Sequence, residues 1–149
     1  MLKAAMLTTL RVKDVMTEAV LLIRAETAID EAWEQLHDAG VSGAPVLDAK
    51  GKLVGVLSNS DLADPRRRRP GAPGSVRDVM TRIVYAVRAE DPAVVAVRLM
   101  EDENIHRVVV VHDDGSLAGV VVPMDILRVL ARNTGSRIEY FDLRTLREP

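Results

Sequence analysis

The sequence predicts an α/β (α+β) protein made of two copies of one small unit, each with the element order β-α-β-β-α. Three observations predict this fold: an internal repeat, the same succession of strand and helix signals in both copies, and a linker between them that cannot be helical. At 149 residues, of which 48% are hydrophobic, the chain is long enough to bury a core. A single copy buries too little apolar surface to be stable alone, so we expect the two copies to pack together.

The repeat has an offset of 64 residues. Val-Lys-Asp-Val-Met-Thr at residues 12–17 recurs as Val-Arg-Asp-Val-Met-Thr at residues 76–81, and 17 of the 51 positions in 12–62 match their counterparts in 76–126. The same offset pairs Asp61 with Asp125. Two homologous units therefore follow each other along the chain.

Each unit opens with an apolar run, at 20–23 and 83–87, which predicts a strand. A helix start signal follows. Thr27 stands at the expected N-cap of the first unit, and in the second unit Asp91 is the expected N-cap with Pro92 as the first helical residue. Apolar residues at helical spacing carry these helices to about Ala39 and Glu103.

Two strands joined by a turn come next in each unit. They are predicted at 45–47 and 53–57 in the first unit, and at 107–112 and 117–122 in the second. A last helix starts near Asp61 and near Met124, and the second of these runs to about Arg132. In the first unit Asp64-Pro65 cuts the helix short.

The resulting organisation has five parts: an N-terminal segment at 1–11, a first repeat at 12–64, a linker rich in Arg, Pro and Gly at 65–75, a second repeat at 76–132, and a C-terminal tail at 133–149. The tail contains Tyr140 and Phe141 in a short amphipathic stretch. We expect it to cover the chain's own core or to pair across a dimer, with docking of a partner as the alternative.

Composition excludes several functions. The chain has no cysteine, which excludes disulfides, thiol catalysis and cysteine-bound metals, and the cytoplasm is the default location. No apolar run reaches the length of a membrane span. Aromatic residues make up 3% of the chain, which disfavours binding of single-stranded nucleic acid by stacking. Metal-ligand spacing and nucleophile motifs are lacking in the sequence, so we expect a binding module that is not an enzyme and requires no cofactor.

One stretch suggests ligand chemistry. Gly55-Val-Leu-Ser58-Asn-Ser-Asp61 joins the predicted hairpin to the following helix. Gly55 would let a ligand approach the backbone, and free amides at the strand end would lie beside Ser58 and Asp61. An ionised aspartate can accept hydroxyl donors from a ribose. The alternative is that Ser58 or Asp61 only caps the helix, a role that both residue types favour.

Asp-Val-Met-Thr at the start of each unit, the β-α-β-β-α order and the Gly55 to Asp61 stretch together resemble the CBS domain, in the tandem arrangement called a Bateman module. The resemblance covers residues 12–132. It implies a regulatory module that binds an adenosine compound between its repeats and that commonly forms a disc-like homodimer. Ile105-His106-Arg107 resembles a segment in gamma subunits of AMP-activated protein kinase, where the basic pair contacts the phosphate of AMP.

The resemblance implies a ligand pocket shared between the repeats, with Val84 and Tyr85 beside the purine and Arg107 and His106 at the phosphate. Its expected residues are Ser58, Asp61, Val84, Tyr85, Ile105, His106, Arg107 and Val109. Without the resemblance, His106 is best explained as a surface histidine and Arg107 as a solvated charge at a strand end. AMP, ADP and ATP suit the arginine, while S-adenosylmethionine, NAD and cyclic dinucleotides stay open.

The mirror-image pocket is predicted to be weaker, because Val122 replaces the serine of the clasp and no basic residue faces Asp125. Its expected residues are Val20, Leu21, Val41, Ser42, Pro45, Val122 and Asp125. We expect it to be empty, weak, or occupied by a less charged ligand.

The arginine run at residues 66–69 has three interpretations: a solvated linker, a contributor to phosphate binding, or a patch for nucleic acid or another anionic surface. An alternative function follows from the third interpretation. In it, the pockets are vestigial and the protein acts on an unidentified partner through the arginine run or the tail.

Overall fold

The computed structural model describes residues 7–18, 21–67, 74–82 and 85–132. The elements of the first repeat are α1 (Val12–Val15), β1 (Ile23–Arg24), α2 (Ile29–Ala39), β2 (Gly43–Leu47), β3 (Leu53–Ser58) and α3 (Asn59–Ala63). Those of the second repeat are α4 (Val76–Val79), β4 (Ala86–Arg88), α5 (Ala93–Asp102), β5 (Val108–Val111), β6 (Leu117–Val121) and α6 (Pro123–Arg132). A 3-10 turn, Pro65–Arg67, follows α3.

Each repeat forms its own three-stranded sheet, in the orders β1-β2-β3 and β4-β5-β6. In both sheets the first strand runs parallel to the second, and the second and third form an antiparallel hairpin. The hairpin turns contain Gly51 and Gly115, which have φ of 80° and 83°, a conformation that glycine adopts without strain. The predicted α+β fold with its β-α-β-β-α order is confirmed. Each repeat also begins with a short helix, α1 or α4, that was not predicted.

The predicted helix starts are one residue too early. Helix α2 has Ala28 at its N-cap and α5 has Pro92, and neither receives a side-chain capping bond. Asp91 instead accepts the backbone N–H of Arg88 at 2.8 Å, so it stabilises the turn that precedes the helix. Helix α3 ends at Ala63, directly before Asp64-Pro65.

Each of the two short helices, α1 and α4, packs in the hydrophobic core of the other repeat. Val12 and Val15 of α1 belong to the buried cluster of the second repeat, together with Val87, Ala96 and Val110. Conversely, α4 supplies Val76 and Val79 to the cluster of the first repeat, which is built around residues such as Ile23, Leu36 and Leu57. The segment that opens each repeat in the sequence therefore completes the hydrophobic core of the other repeat.

Backbone bonds and ion pairs hold these exchanged helices in place, in a symmetric manner. Val12 N–H donates to the Asp91 carbonyl at 2.8 Å, and Val76 N–H donates to the Thr27 carbonyl at 2.9 Å. Lys13 pairs with Glu90 at 2.9 Å and Arg77 pairs with Glu26 at 2.7 Å. The exposed ion pairs contribute little energy each, so apolar burial carries most of the attachment.

Gly55 does not open the backbone to a ligand, which corrects the expectation from the sequence. A Cβ at Gly55 would lie 2.7 Å from the Thr81 carbonyl oxygen and 2.8 Å from the Met80 sulfur. Gly119 stands in the same relation to Thr17, at 2.5 Å from its carbonyl oxygen. Both glycines lack a side chain because the opening segment of the other repeat packs on them.

Candidate functional site

A cavity of about 500 Å³ lies between the repeats. The first repeat contributes Ser42, Val56, Ser58, Asn59, Ser60 and Asp61 to its lining. The second repeat contributes Thr81, Tyr85, Ile105, His106 and Arg107. Pockets of a few hundred cubic ångströms with a small number of polar groups are the usual form of small-molecule sites.

Ser58 and Asp61 form a reciprocal cap at the start of α3. The Asp61 N–H donates to Ser58 Oγ at 3.2 Å, and the Ser58 N–H donates to Asp61 Oδ2 at 2.9 Å. Both residues therefore cap the helix, as the alternative interpretation proposed. Both also line the cavity. The amides of Ser58, Asn59 and Asp61 are engaged, the Asn59 N–H with the Ser42 carbonyl, so the expectation of free amides at these three positions is wrong.

Asp61 faces the second repeat across the cavity. Its carboxylate is 6% exposed and its Oδ1 accepts the Thr81 hydroxyl at 3.3 Å. Arg107 lies near enough for its positive charge to interact with Asp61. A carboxylate acceptor from one repeat thus stands opposite a cation from the other, in a partly enclosed space where charges interact more strongly than in water.

Arg107 is held in place by the first repeat. Its Nη2 donates to Ser42 Oγ at 2.8 Å, and its guanidinium packs against Gly43 so closely that a Cβ there would overlap it. Partial burial lowers the pKa of the Arg107 guanidinium, and the charge of Asp61 opposes this effect. Arginine stays charged at neutral pH even so.

Tyr85 forms one wall of the cavity and is itself anchored. Its hydroxyl donates to Glu103 Oε2 at 2.8 Å, at the end of α5. This bond to a carboxylate favours the neutral phenol and raises the pKa of Tyr85. The ring is fixed at the side of the cavity by a residue that does not line it.

Of the residues expected in this pocket, the structure brings together Ser58, Asp61, Tyr85, Ile105, His106 and Arg107. Val84 lies outside the described residues. Val109 does not line the cavity: it is fully buried and pairs with Ala86 and Val120 inside the sheet. Sequence reasoning missed five lining residues of this site: Ser42, Val56, Asn59, Ser60 and Thr81. For Thr81 a signal existed, because it closes the repeated Asp-Val-Met-Thr motif.

Ser42 was expected in the mirror-image pocket, and the structure places it in the Asp61 cavity instead. Ser42 and His106 are equivalent positions of the two repeats, yet both line one cavity. Equivalent residues can meet in this way only close to the pseudo-twofold axis. An alignment of the repeats does not show which positions lie near that axis.

The mirror-image position is organised around Asp125, which is 5% exposed. Its Oδ2 accepts the Val122 N–H at 2.9 Å, and its Oδ1 accepts the Thr17 hydroxyl at 3.2 Å and Arg128 Nη1 at 3.3 Å. A cation therefore does stand beside Asp125, from its own helix. Pro45 is buried in β2, Leu21 packs on the core of the first repeat, Val41 and Val122 are at least partly exposed, and Val20 lies outside the described residues.

Arg66 does not reach the cavity. It pairs with Asp64 through its Nε at 3.1 Å, and its side chain is otherwise in solvent. The side chains of residues 67–69 and the tail from residue 133 lie outside the described residues. Within the described part of the chain, no helix is long and apolar enough to cross a membrane, and no cluster of His, Cys, Asp and Glu could hold a metal ion.

Two α+β repeats that exchange their opening helices and enclose a polar cleft define a tandem repeat pair. Comparison with protein families is consistent with this class. The chain belongs to the CBS domain family, whose model matches residues 12–65 and 76–132.

Three similar proteins place the chain more closely within that family. The structure of CBSX2 in complex with AMP has a TM-score of 0.74 and 29% identity, over 82% of this chain and 96% of that chain; CBSX2 is a protein of Arabidopsis thaliana. The CBS domain pair of protein MJ0100, in complex with 5-methylthioadenosine and S-adenosyl-L-methionine, has a TM-score of 0.74 and 26% identity, over 84% and 98% of the two chains. A homoserine O-acetyltransferase of Methanococcoides burtonii is 31% identical over 83% of this chain, but over 25% of the enzyme.

The chain spans about a quarter to two fifths of the length of three curated relatives that it matches. The shared part is the CBS pair. The acetyltransferase activity of the enzyme relative is therefore not assigned to this chain.

Proposed function

We propose that this chain is a regulatory, non-catalytic module that binds an adenosine nucleotide of the AMP, ADP or ATP type in the Asp61 cavity. The observation that carries the proposal is that Asp61 and Arg107, which come from different repeats, line one cavity and lie near enough for their charges to interact. Two solved CBS pairs of the same fold hold adenosine compounds, AMP in one and methylthioadenosine with S-adenosylmethionine in the other.

Each part of such a nucleotide has a counterpart in the cavity. Asp61 is the acceptor for ribose hydroxyls, which can replace the long 3.3 Å bond from Thr81 because hydroxyl bonds to a carboxylate are normally shorter. Arg107 offers a planar fork to phosphate, with His106 beside it. Tyr85 supplies an aromatic wall for the base. The arginine favours a phosphorylated ligand over S-adenosylmethionine.

Binding at Asp61 is preferred over binding at Asp125 in this proposal. The carboxylate of Asp125 already accepts Arg128 at 3.3 Å, and this pairing neutralises it locally. By contrast, the cation at the Asp61 cavity comes from the opposite repeat and is free to engage a ligand phosphate while Asp61 engages the ribose.

Signalling follows from the position of the ligand. A nucleotide that contacts Asp61 and Arg107 together favours the arrangement of repeats in which these groups lie close, and the population of that arrangement rises with occupancy. A protein target that contacts both repeats would respond to the change.

We also propose that the module forms a homodimer through apolar side chains on its helices. Met124 and Leu127, three residues apart on α6, are 52% and 53% exposed. Light scattering should give twice the monomer mass for the wild type, and Leu127→Arg should give the monomer mass. A monomeric wild type at micromolar concentration would contradict this part of the proposal.

Calorimetric titration with adenosine, AMP, ADP, ATP and S-adenosylmethionine tests the function. We expect saturable binding of one nucleotide per chain, with the phosphorylated compounds bound more tightly than adenosine. If no adenosine compound binds at millimolar concentration, the proposal is wrong and a module that acts on a protein or an anionic polymer without a nucleotide becomes the better account.

A further inference from the structure

A second cavity adjoins the Asp61 cavity. Its volume is about 310 Å³, and we call it the Trp33 groove; its lining is Trp33, Leu36, His37, Gly40, Val41, Ser42 and Asn59. Ser42 and Asn59 line both cavities, so the two spaces share one wall at the start of β2 and α3.

The Trp33 groove has the chemistry of a base subsite. Trp33 is 51% exposed, although tryptophan is usually highly buried, so its indole presents a large aromatic surface inside a concave region. Aromatic side chains are the usual platforms on which nucleic acid bases stack. His37 and the Asn59 amide can donate to or accept from the polar edge of a base.

A cation lies at the junction of the two cavities. Arg107 donates to Ser42 Oγ at 2.8 Å, and Ser42 belongs to the shared wall. A guanidinium has five N–H donors, so the bond to Ser42 leaves others for a phosphate. Tyr85 and Arg107 therefore line the first cavity, Trp33 lines the second, and Ser42, which accepts the bond from Arg107, lines both.

We propose that the Trp33 groove is a second base subsite and that the ligand class of the whole cleft is the dinucleoside polyphosphate. One nucleoside occupies the Asp61 cavity, the phosphate bridge passes Arg107 and Ser42, and the second base stacks on Trp33. This inference rests on the proposed function, because it extends the same cleft. A ligand with a base at each end and phosphates between them suits two adjoining cavities that each contain an aromatic ring and that share Ser42, the residue bonded to Arg107.

Trp33 makes the test direct, because it is the chain's one tryptophan and its emission reports on the groove. The full chain is titrated with AMP and with diadenosine compounds of two to five bridging phosphates, by calorimetry and by tryptophan emission. At least one dinucleotide should bind about tenfold more tightly than AMP and quench the emission, whereas AMP should leave the emission nearly unchanged.

Variants separate the two subsites. Trp33→Ala should abolish the advantage of the dinucleotide and leave AMP affinity unchanged, and Trp33→Phe should keep much of the advantage because a ring remains. Leu22→Ala, which truncates an exposed apolar residue that lines neither cavity and lies on no helix, is the control and should change neither affinity. Light scattering on the same samples reports the oligomeric state.

Three results would overturn the inference. One is that every dinucleotide binds no more tightly than AMP; another is that Trp33→Ala weakens AMP and dinucleotides equally. The third is that Trp33→Ala changes the oligomeric state while the ratio of the two affinities is unchanged. In each of these cases AMP binding to the wild type still supports the proposed function, whereas a lack of binding by AMP and by all dinucleotides overturns both.

Discussion

At the scale of single residues, Ser42 has the most specific role outside the nucleotide contacts themselves. It neither carries charge nor stands in a recognisable motif, yet its hydroxyl holds Arg107 from the opposite repeat. In the proposed function, this bond holds the guanidinium in place for a phosphate before the ligand arrives. Pre-organisation of this kind lowers the entropic cost of binding.

Ser42→Ala should weaken AMP binding about fivefold, the equivalent of one lost hydrogen bond of about 1 kcal/mol, and leave adenosine binding unchanged. Calorimetry with both ligands measures this. Ser116→Ala, which removes a hydroxyl from a turn of the second repeat, is the matched control and should alter neither affinity. Equal weakening of AMP and adenosine would show that Ser42 shapes the cavity and does not position Arg107.

Glu103 sets the ionisation of Tyr85. The bond from the phenol to the carboxylate stabilises the protonated phenol, so the pKa of Tyr85 is raised, and Glu103→Gln should lower it toward its ordinary value near 10. Ultraviolet titration of phenolate absorbance in a Tyr140→Phe background, which leaves Tyr85 as the one tyrosine, measures the change. An unchanged titration curve in the Glu103→Gln variant would contradict the role of this bond.

Residue-level prediction from the sequence worked best where a side chain both caps a helix and repeats at the offset. Asp61 meets both conditions, whereas Ser58 caps the helix but has Val122 at its counterpart position. Arg107 and His106 were expected from the family resemblance alone. Ser42 could not be assigned in this way, because its role depends on a contact between segments 65 positions apart. Val109 was misplaced because strand alternation alone does not tell which face of β5 the cavity lies on.

At the scale of elements, the exchanged helices α1 and α4 are the feature that joins the repeats. The sequence signals for strands and longer helices are local, and they predicted those elements to within a few residues. A four-residue helix carries too little periodicity to be recognised, and nothing in a repeated motif says that it packs on the other copy. The exchange therefore became visible only in the structure.

Truncating one buried valine in an exchanged helix should loosen the sheet of the other repeat more than the sheet of its own repeat. Val12→Ala and Val76→Ala should each destabilise the chain by about 2 kcal/mol, since both side chains are fully buried. Because Val12 packs in the core of the second repeat, its truncation should speed hydrogen exchange mainly in β4, β5 and β6. Val76→Ala should instead affect β1, β2 and β3.

Hydrogen exchange followed by mass spectrometry of peptides resolves the two sheets. Each variant is the matched control of the other, because the substitution, the helix length and the burial are the same. Faster exchange confined to the sheet of the mutated repeat would contradict the exchanged cores. Uniform acceleration in both variants would mean that the two cores open as one unit.

At the scale of the whole molecule, the exchange of helices couples ligand binding to the stability of the folded chain. Both repeats contribute to each core and to the cleft, so a nucleotide that binds the folded pair stabilises the whole chain. At 100 times its dissociation constant, such a ligand adds about 2.7 kcal/mol to the free energy of unfolding. The near balance of 20 basic and 22 acidic residues means that ligand attraction depends on the local arrangement of Arg107 and Asp61 and not on net charge.

The overall architecture was the most predictable level. The repeat at an offset of 64 residues established two units, and their small size required that they pack together. The sequence could not establish how the surroundings of Asp61 and Asp125 differ. The weakness of the Asp125 side was expected from the lack of a basic residue opposite it. The structure adds a different reason for the same expectation, because Arg128 on the same helix pairs with the Asp125 carboxylate.

Asp61 and Asp125 provide the most direct test, because they perform the same structural task. Each carboxylate accepts the backbone N–H three residues before it and a threonine hydroxyl from the other repeat. Asp61→Ala and Asp125→Ala should therefore cost similar stability, and any difference in ligand affinity isolates the role of each cleft.

Calorimetric titration of AMP into the wild type and these two variants, with circular dichroism to confirm folding, is the decisive measurement. We predict that Asp61→Ala weakens AMP binding about 30-fold through the loss of charge-assisted bonds to the ribose. Asp125→Ala should change the affinity by less than about twofold, as expected for a distant site. Equal losses in the two variants, or a larger loss for Asp125→Ala, would contradict the assignment of the nucleotide to the Asp61 cavity.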